Sequence, residues 1–143
     1  RTHTFELTKK SKRSYRSCEV LPYCVYSHRK TSNFSMTSEL AAMITTTDGL
    51  DEDHTFEANC FTLAEILYTK GWSKRDHNVT IHFISVDTEG SEIDIFKVFP
   101  FEIFDIRVFV IEASRDTATP LDNIFLPRGY VKAAHLGKDA VFF

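Results

Sequence analysis

Val79-Thr80-Ile81-His82-Phe83-Ile84-Ser85-Val86-Asp87-Thr88-Glu89-Gly90-Ser91-Glu92 decides how the chain folds. Its first eight residues are mostly apolar and β-prone, as expected of a strand in a parallel sheet buried on both faces. The run ends abruptly in acids around Gly90, whose backbone freedom suits a sharp exit from strand to helix. Ile93, Phe96 and Phe99 then recur at helical spacing, with Pro100 just past the end. A second strand, Ile106-Arg107-Val108-Phe109-Val110-Ile111, also ends in an acid, Glu112.

Working outward, Thr62-Leu63-Ala64-Glu65 has the form of a capping box, in which the Thr62 hydroxyl and the Glu65 carboxylate each satisfy an amide at the helix start. Leu63, Ile66 and Leu67 form its apolar face, and Gly71 stops the helix. Thr119-Pro120 reads as the cap and first residue of a later helix that Pro127-Arg128-Gly129 closes. Tyr130–His135 and Asp139–Phe143, joined by Leu136-Gly137-Lys138, predict an antiparallel hairpin.

The first half is less regular. Residues 3–16 read as a basic helix, and residues 18–26 are β-prone with Pro22 setting the earliest strand start. Residues 31–59, rich in Ser, Thr, Asn and Asp with an Asp48-Gly49 turn, read as a long connection carrying short strands. Alternating strands and helices ending in a hairpin imply an α/β sheet with an antiparallel strand at one edge.

Composition excludes several function classes. With 43% hydrophobic and 26% charged residues in 143, the chain is an ordinary globular domain. Residues 1–30 carry eight basic residues against Glu6 and Glu19, a local +6 in a chain of net charge −3. Lys9-Lys10-Ser11-Lys12-Arg13 has few interleaved aromatics and no recognisable nucleic-acid module around it, so it reads as a solvated helix face and no nucleic-acid partner is expected. No apolar run approaches the ~20 residues of a membrane span. Cys18, Cys24 and Cys60 and the six histidines lack metal-ligand spacing, so no metal site is expected. The cysteines read as buried free thiols, with a Cys18–Cys24 bridge as the alternative. Asn33-Phe34-Ser35 and Asn78-Val79-Thr80 are glycosylation sequons that lean toward a secretory-pathway lumen.

Ligands in open α/β sheets bind outside the carboxyl ends of the strands. Asp87, Glu89, Glu92 and Glu112 are therefore candidates for one acidic rim that binds an amine or sugar hydroxyls, holds a cation or acts as a general base. Glu89 or Glu92 can equally serve only to compensate a helix N-terminus near Ser91.

The block Ile81–Glu92, an apolar strand followed by Asp-x-Glu-Gly-x-Glu, resembles the strand-four signature of FkbM-type methyltransferases. Phe61-Thr62-Leu63-Ala64-Glu65-Ile66-Leu67 upstream is similar to the same family. So are Phe109-Val110-Ile111-Glu112, Gly129-Tyr130 and Asp139-Ala140-Val141-Phe142 downstream, and Phe99-Pro100-Phe101 is similar to the Star-type branch. Residues 60–143 match well and residues 1–59 loosely, within one partial domain spanning 1–143.

The resemblance implies a Rossmann-like class I methyltransferase sheet in the order 3-2-1-4-5-7-6. Residues 22–27 would be strand three, 79–87 strand four, 106–112 strand five and the hairpin strands six and seven. Strands one and two would be missing, and with them the glycine-rich cofactor loop; no Gly-x-Gly occurs in this chain. The resemblance further implies S-adenosylmethionine as cofactor, a small hydroxylated or sugar-like acceptor, and cofactor contacts from Ser27, His28 and Asp87. Asp87 or Glu89 would take the acceptor's proton, the family pattern leaving both open as catalytic, and the acidic rim offers Glu92 and Glu112 as acceptor-binding residues. The alternative that the Star-type likeness implies is a non-catalytic scaffold of the secretory pathway. The sequence carries no signal for oligomeric state.

Overall fold

The computed structural model describes residues 19, 21–37, 40–43, 55–74 and 79–143. The expected basic helix at 3–16, Cys18, the Asp48-Gly49 turn and Asn78 lie outside these residues.

One sheet carries the sequence signature. Strands β5 (Thr80–Ile81) and β6 (Ile84–Val86) lie parallel to β7 (Asp105–Ile106) and β8 (Phe109–Glu112). Each expected long strand is thus divided at its middle. The division is slight, because every partner stands 25 residues further along, from Thr80 with Asp105 to Val86 with Ile111. Hydrogen bonds bridge the gap, the Arg107 amide donating to the Ile81 carbonyl and the Ile84 amide to that of Val108. The ladder is in effect one parallel pair.

Beyond β8 lies β10 (Asp139–Phe142), antiparallel to it, and then β9 (Lys132–Leu136), giving the order β6-β8-β10-β9. The hairpin is the expected one, with Gly137 in the left-handed region (φ 67) between the strands. Among the described residues β6 is the outer strand, paired only with β8.

A second sheet occupies the stretch 31–59 expected to carry short strands on a long connection; two of its strands run to seven and eight residues. β1 (Cys24–Val25), β2 (Lys30–Thr37), β3 (Leu40–Met43) and β4 (Thr55–Phe61) assemble in the order β1-β4-β2-β3. β2 and β4 are rich in polar residues, so the sequence pattern does not mark their full length. Their pairing places Thr31 and Asn33 beside Asn59 and Glu57 on a solvated face, and Phe34 beside Phe56 and Lys30 beside Cys60 on the other. One-sided burial of this kind is what antiparallel sheets allow.

This sheet is joined covalently. Cys24 and Cys60 are register partners on the parallel strands β1 and β4 and form a disulfide, with Cα atoms 4.3 Å apart. That corrects both the free-thiol expectation and the Cys18–Cys24 alternative. The partners lie 36 residues apart and meet only once the strands pair.

Among the described residues three α-helices complete the fold. α1 (Leu63–Thr69) begins with the expected capping box: the Glu65 amide donates to the Thr62 hydroxyl and the Thr62 amide to the Glu65 carboxylate. α2 (Glu92–Lys97) packs against α3 (Arg115–Phe125). α3 starts earlier than Thr119-Pro120 suggested. Its cap is Ser114, whose hydroxyl accepts from the Thr117 amide, and Pro120 stands inside the helix. The proline removes one amide donor, but a Ser cap and eleven residues with Leu121, Ile124 and Phe125 buried outweigh that loss. A short 3-10 turn, Leu126–Arg128, ends at Gly129 as anticipated.

The core is built from phenylalanines. Phe96, Phe104, Phe109, Phe125 and Phe142 are fully buried, and Phe99 and Phe101 nearly so. Phe125 stacks on Phe142 with ring centroids 4.5 Å apart and meets Phe96 edge-on at 4.9 Å. Each such ring buries enough apolar surface for roughly 1.5–3 kcal/mol, with a further ~0.5–1.5 kcal/mol per well-oriented pair. α2 and α3 are thereby clamped to the sheet, and the turn leading into α2 is anchored at its far end.

Candidate active site

Chain direction reverses where β6 ends. Val86 is buried, and Asp87 is the first residue to leave the sheet. Glu89 (φ 53) and Gly90 (φ 107) then occupy the left-handed region in succession. Glycine does so freely, whereas for a residue with a Cβ the conformation costs about 1–2 kcal/mol.

Glu92 offsets that strain. Only 2% exposed, its carboxylate accepts from the Thr88 amide (2.7 Å), the Thr88 hydroxyl (2.8 Å) and the Gly90 amide (3.1 Å). Ser91, the cap residue of α2, makes no side-chain capping bond. A carboxylate one residue into the helix thus gathers the turn's donors and also faces the positive end of the helix. Its place at the start of α2 fits the reading of Glu92 as compensating the helix N-terminus, and its bonds to Thr88 and Gly90 hold the turn as well.

The turn directs Asp87 and Glu89 outward. Because Val86 and Ile111 are register partners, Asp87 and Glu112 leave adjacent strand ends on the same rim. One carboxylate oxygen from each of Asp87, Glu89 and Glu112 lies within 4.8 Å of the others, close enough to share a proton, a hard cation or a cluster of hydroxyls. Partial burial holds the Glu112 carboxyl above its ordinary range, and the charges of Asp87 and Glu89 push it the same way. Lys138 opposes this from 3.7 Å. It enters the rim from the hairpin, where Asp139 is the register partner of Glu112. Lys138 escaped the sequence reading because only the β8–β10 register brings it there.

Ser27 and His28 lie elsewhere, on the loop that follows β1 in the second sheet. Their side chains meet each other, Ser27 Oγ to His28 Nδ1 at 3.1 Å, and His28 packs edge-on to Tyr26. Among the described residues no hydrogen bond joins them to the acidic rim. A groove of ≈ 490 Å³ opens at the opposite, amino-terminal end of the parallel strands, lined by Lys74, Asp105, Arg107, Arg128 and Tyr130 among others. Its polar groups are largely spoken for: Arg107 pairs with Asp105 at 3.3 Å, and the Tyr130 hydroxyl donates to the Ile106 carbonyl at 2.9 Å. The convergent carboxylates, the sequence-predicted residues that the fold brings together, are the candidate site.

A family model, the methyltransferase FkbM domain, matches residues 13–131. The chain belongs to the FkbM methyltransferase family. The match takes in the whole of the second sheet and, of the first, β5 through β8 with the Asp87–Glu92 turn and Glu112. It therefore reaches well into the stretch before residue 60, where the motifs alone were loose. No curated protein and no solved structure matches the chain. Both the Asp87–Glu92 turn and Glu112 fall within the matched residues, and no helix among the described residues is long and apolar enough to cross a membrane.

Proposed function

We propose that this FkbM domain takes part in S-adenosylmethionine-dependent O-methyl transfer to a small hydroxylated or sugar-like acceptor, with the acidic rim as its reactive edge. The observation that carries the reading is the convergence of Asp87, Glu89 and Glu112 at the carboxyl ends of two adjacent parallel strands. We further infer that β6-β8-β10-β9 corresponds to strands four, five, seven and six of a Rossmann-like sheet whose strands one and two are not in this chain.

S-adenosylmethionine, when bound, supplies an electrophilic methyl group. Asp87 would hold it from the rim, and Ser27 and His28 from the loop after β1. The carboxylates suit a ligand that carries positive charge; without a Gly-x-Gly the ligand's amino-acid end lacks the backbone cradle such loops provide. At the rim, Asp87 or Glu89 accepts a hydrogen bond from the acceptor hydroxyl, orients it and takes its proton. Glu112, on the same rim, is placed to contact a second polar group of the acceptor. Glu92 acts on the acceptor only through the turn that it holds.

Asp87→Asn is the test, made on the protein as its own cells produce it. Methyl transfer should fall by about 10²–10⁴-fold, while the melting temperature stays near that of the unaltered protein because Asp87 is exposed. Full activity in the variant, or unfolding in place of lost activity, overturns this assignment.

A further inference from the structure

Two observations outside the acidic rim point the same way. The first is the Cys24–Cys60 disulfide, a bond that persists in oxidising compartments and is rare in reducing ones. The second is the placement of Asn33. The sequon Asn33-Phe34-Ser35 runs through β2, and Asn33 stands exposed on the polar face of the second sheet. Its register partner there is the exposed Glu57, and next to them the Thr31 hydroxyl donates to the Asn59 side chain. Phe34, between Asn33 and Ser35, turns to the other face and stacks on Phe56. A bulky hydrophilic group on Asn33 would project into solvent without displacing an apolar contact.

We propose that Asn33 carries an N-linked oligosaccharide, attached in the same secretory compartment in which the Cys24–Cys60 bond forms. In that step the Asn33 side-chain nitrogen forms a bond to the anomeric carbon of an oligosaccharide held on a polyprenyl diphosphate. The anomeric carbon–oxygen bond breaks, the diphosphate leaves with the electron pair, and one amide proton passes to a base of the transferring enzyme. The sequon at Asn78-Val79-Thr80 is the poorer acceptor in the folded chain, since the Thr80 hydroxyl already donates to Asp105 at 2.6 Å.

The test is glycosidase digestion and peptide mass analysis of the full protein isolated from the cells that make it. Digestion should lower the intact mass by one oligosaccharide and convert Asn33 to aspartate in the peptide that contains it. Asn33→Gln and Ser35→Ala should each abolish the shift, Ser35→Thr should retain it, and Asn78→Gln should leave it unchanged. A bare-chain mass before digestion, a shift that survives Asn33→Gln, or one lost only with Asn78→Gln overturns the proposal. Failure here leaves the acidic rim untouched, because none of these variants alters it.

Discussion

Replacing Glu92 separates the two roles that its position allows. The carboxylate has three donors on it, the Thr88 amide and hydroxyl and the Gly90 amide. Hydrogen bonds to a charged group contribute about 1.5–3 kcal/mol each, and a buried donor left bare costs ~1–3 kcal/mol. Water can reach parts of the turn once the side chain is gone, so the lower figures apply. Glu92→Ala should then destabilise the domain by about 3–5 kcal/mol, which for a domain of this size lowers the melting temperature by ~10–15 °C. Glu92→Gln keeps one oxygen for Thr88 but turns an NH₂ group toward the Gly90 amide, and should cost about 1–2 kcal/mol. Urea titration followed by tryptophan fluorescence reads both, Trp72 being the only tryptophan. If Glu92→Ala costs less than ~1 kcal/mol, the turn is not held this way. If Glu92→Gln leaves stability unchanged yet abolishes acceptor binding, Glu92 is itself a ligand group.

Three further outcomes are expected. Cys24→Ser should cost ~4 kcal/mol by the loop-entropy estimate for a 36-residue separation, read as a lowered urea midpoint that reductant no longer changes; an equal midpoint with and without reductant in the unaltered protein contradicts the bond's contribution. Glu112 binds its proton more tightly folded than unfolded, so its contribution is fully present below pH 4.5 and is lost as pH rises through the folded value. Glu112→Gln should therefore stabilise the domain above that window and not below it, and melting curves that shift equally at every pH would refute this. Calorimetry of the 143-residue chain with S-adenosylmethionine should show weak binding or none, because no Gly-x-Gly is present; tight saturable binding would mean that other residues replace the missing cradle.

Much of the fold was legible where the physics is local. The Thr62–Glu65 capping box closes within four residues, so residue types and spacing suffice to place it. The same holds for Gly129 after the last helical turn and for the hairpin around Gly137. Competing local signals misled at α3, where the conspicuous Thr119-Pro120 masked the quieter cap at Ser114. Nonlocal features could not be read. The Cys24–Cys60 pairing, the polar strands β2 and β4 and the approach of Lys138 to Glu112 depend on strand register. At the rim, the sequence marked the four acids but not which of them is buried. That Glu92 is dry and Asp87 wet follows from the left-handed Glu89-Gly90 step, which a one-dimensional pattern does not contain.

Burial of one acid and crowding of the other three are a single arrangement. Carboxylates left to themselves would spread apart, since like charges a few ångströms from one another repel even beside water. Here they are denied that freedom. The parallel ladder fixes the Asp87 and Glu112 backbones side by side, and the phenylalanine core holds α2 at the far end of the turn. Glu92 takes the turn's amides for itself, leaving Glu89 pointing at its neighbours. Burial raises the proton affinity of Glu112, the repulsion that remains raises it further, and Lys138, 85% exposed, only partly relieves it. A proton, a hydroxyl donor or a positively charged ligand brought to this rim relieves the rest. A cationic ligand at this rim should therefore lower the Glu112 proton affinity, and protonation of Glu112 should in turn weaken that ligand's binding.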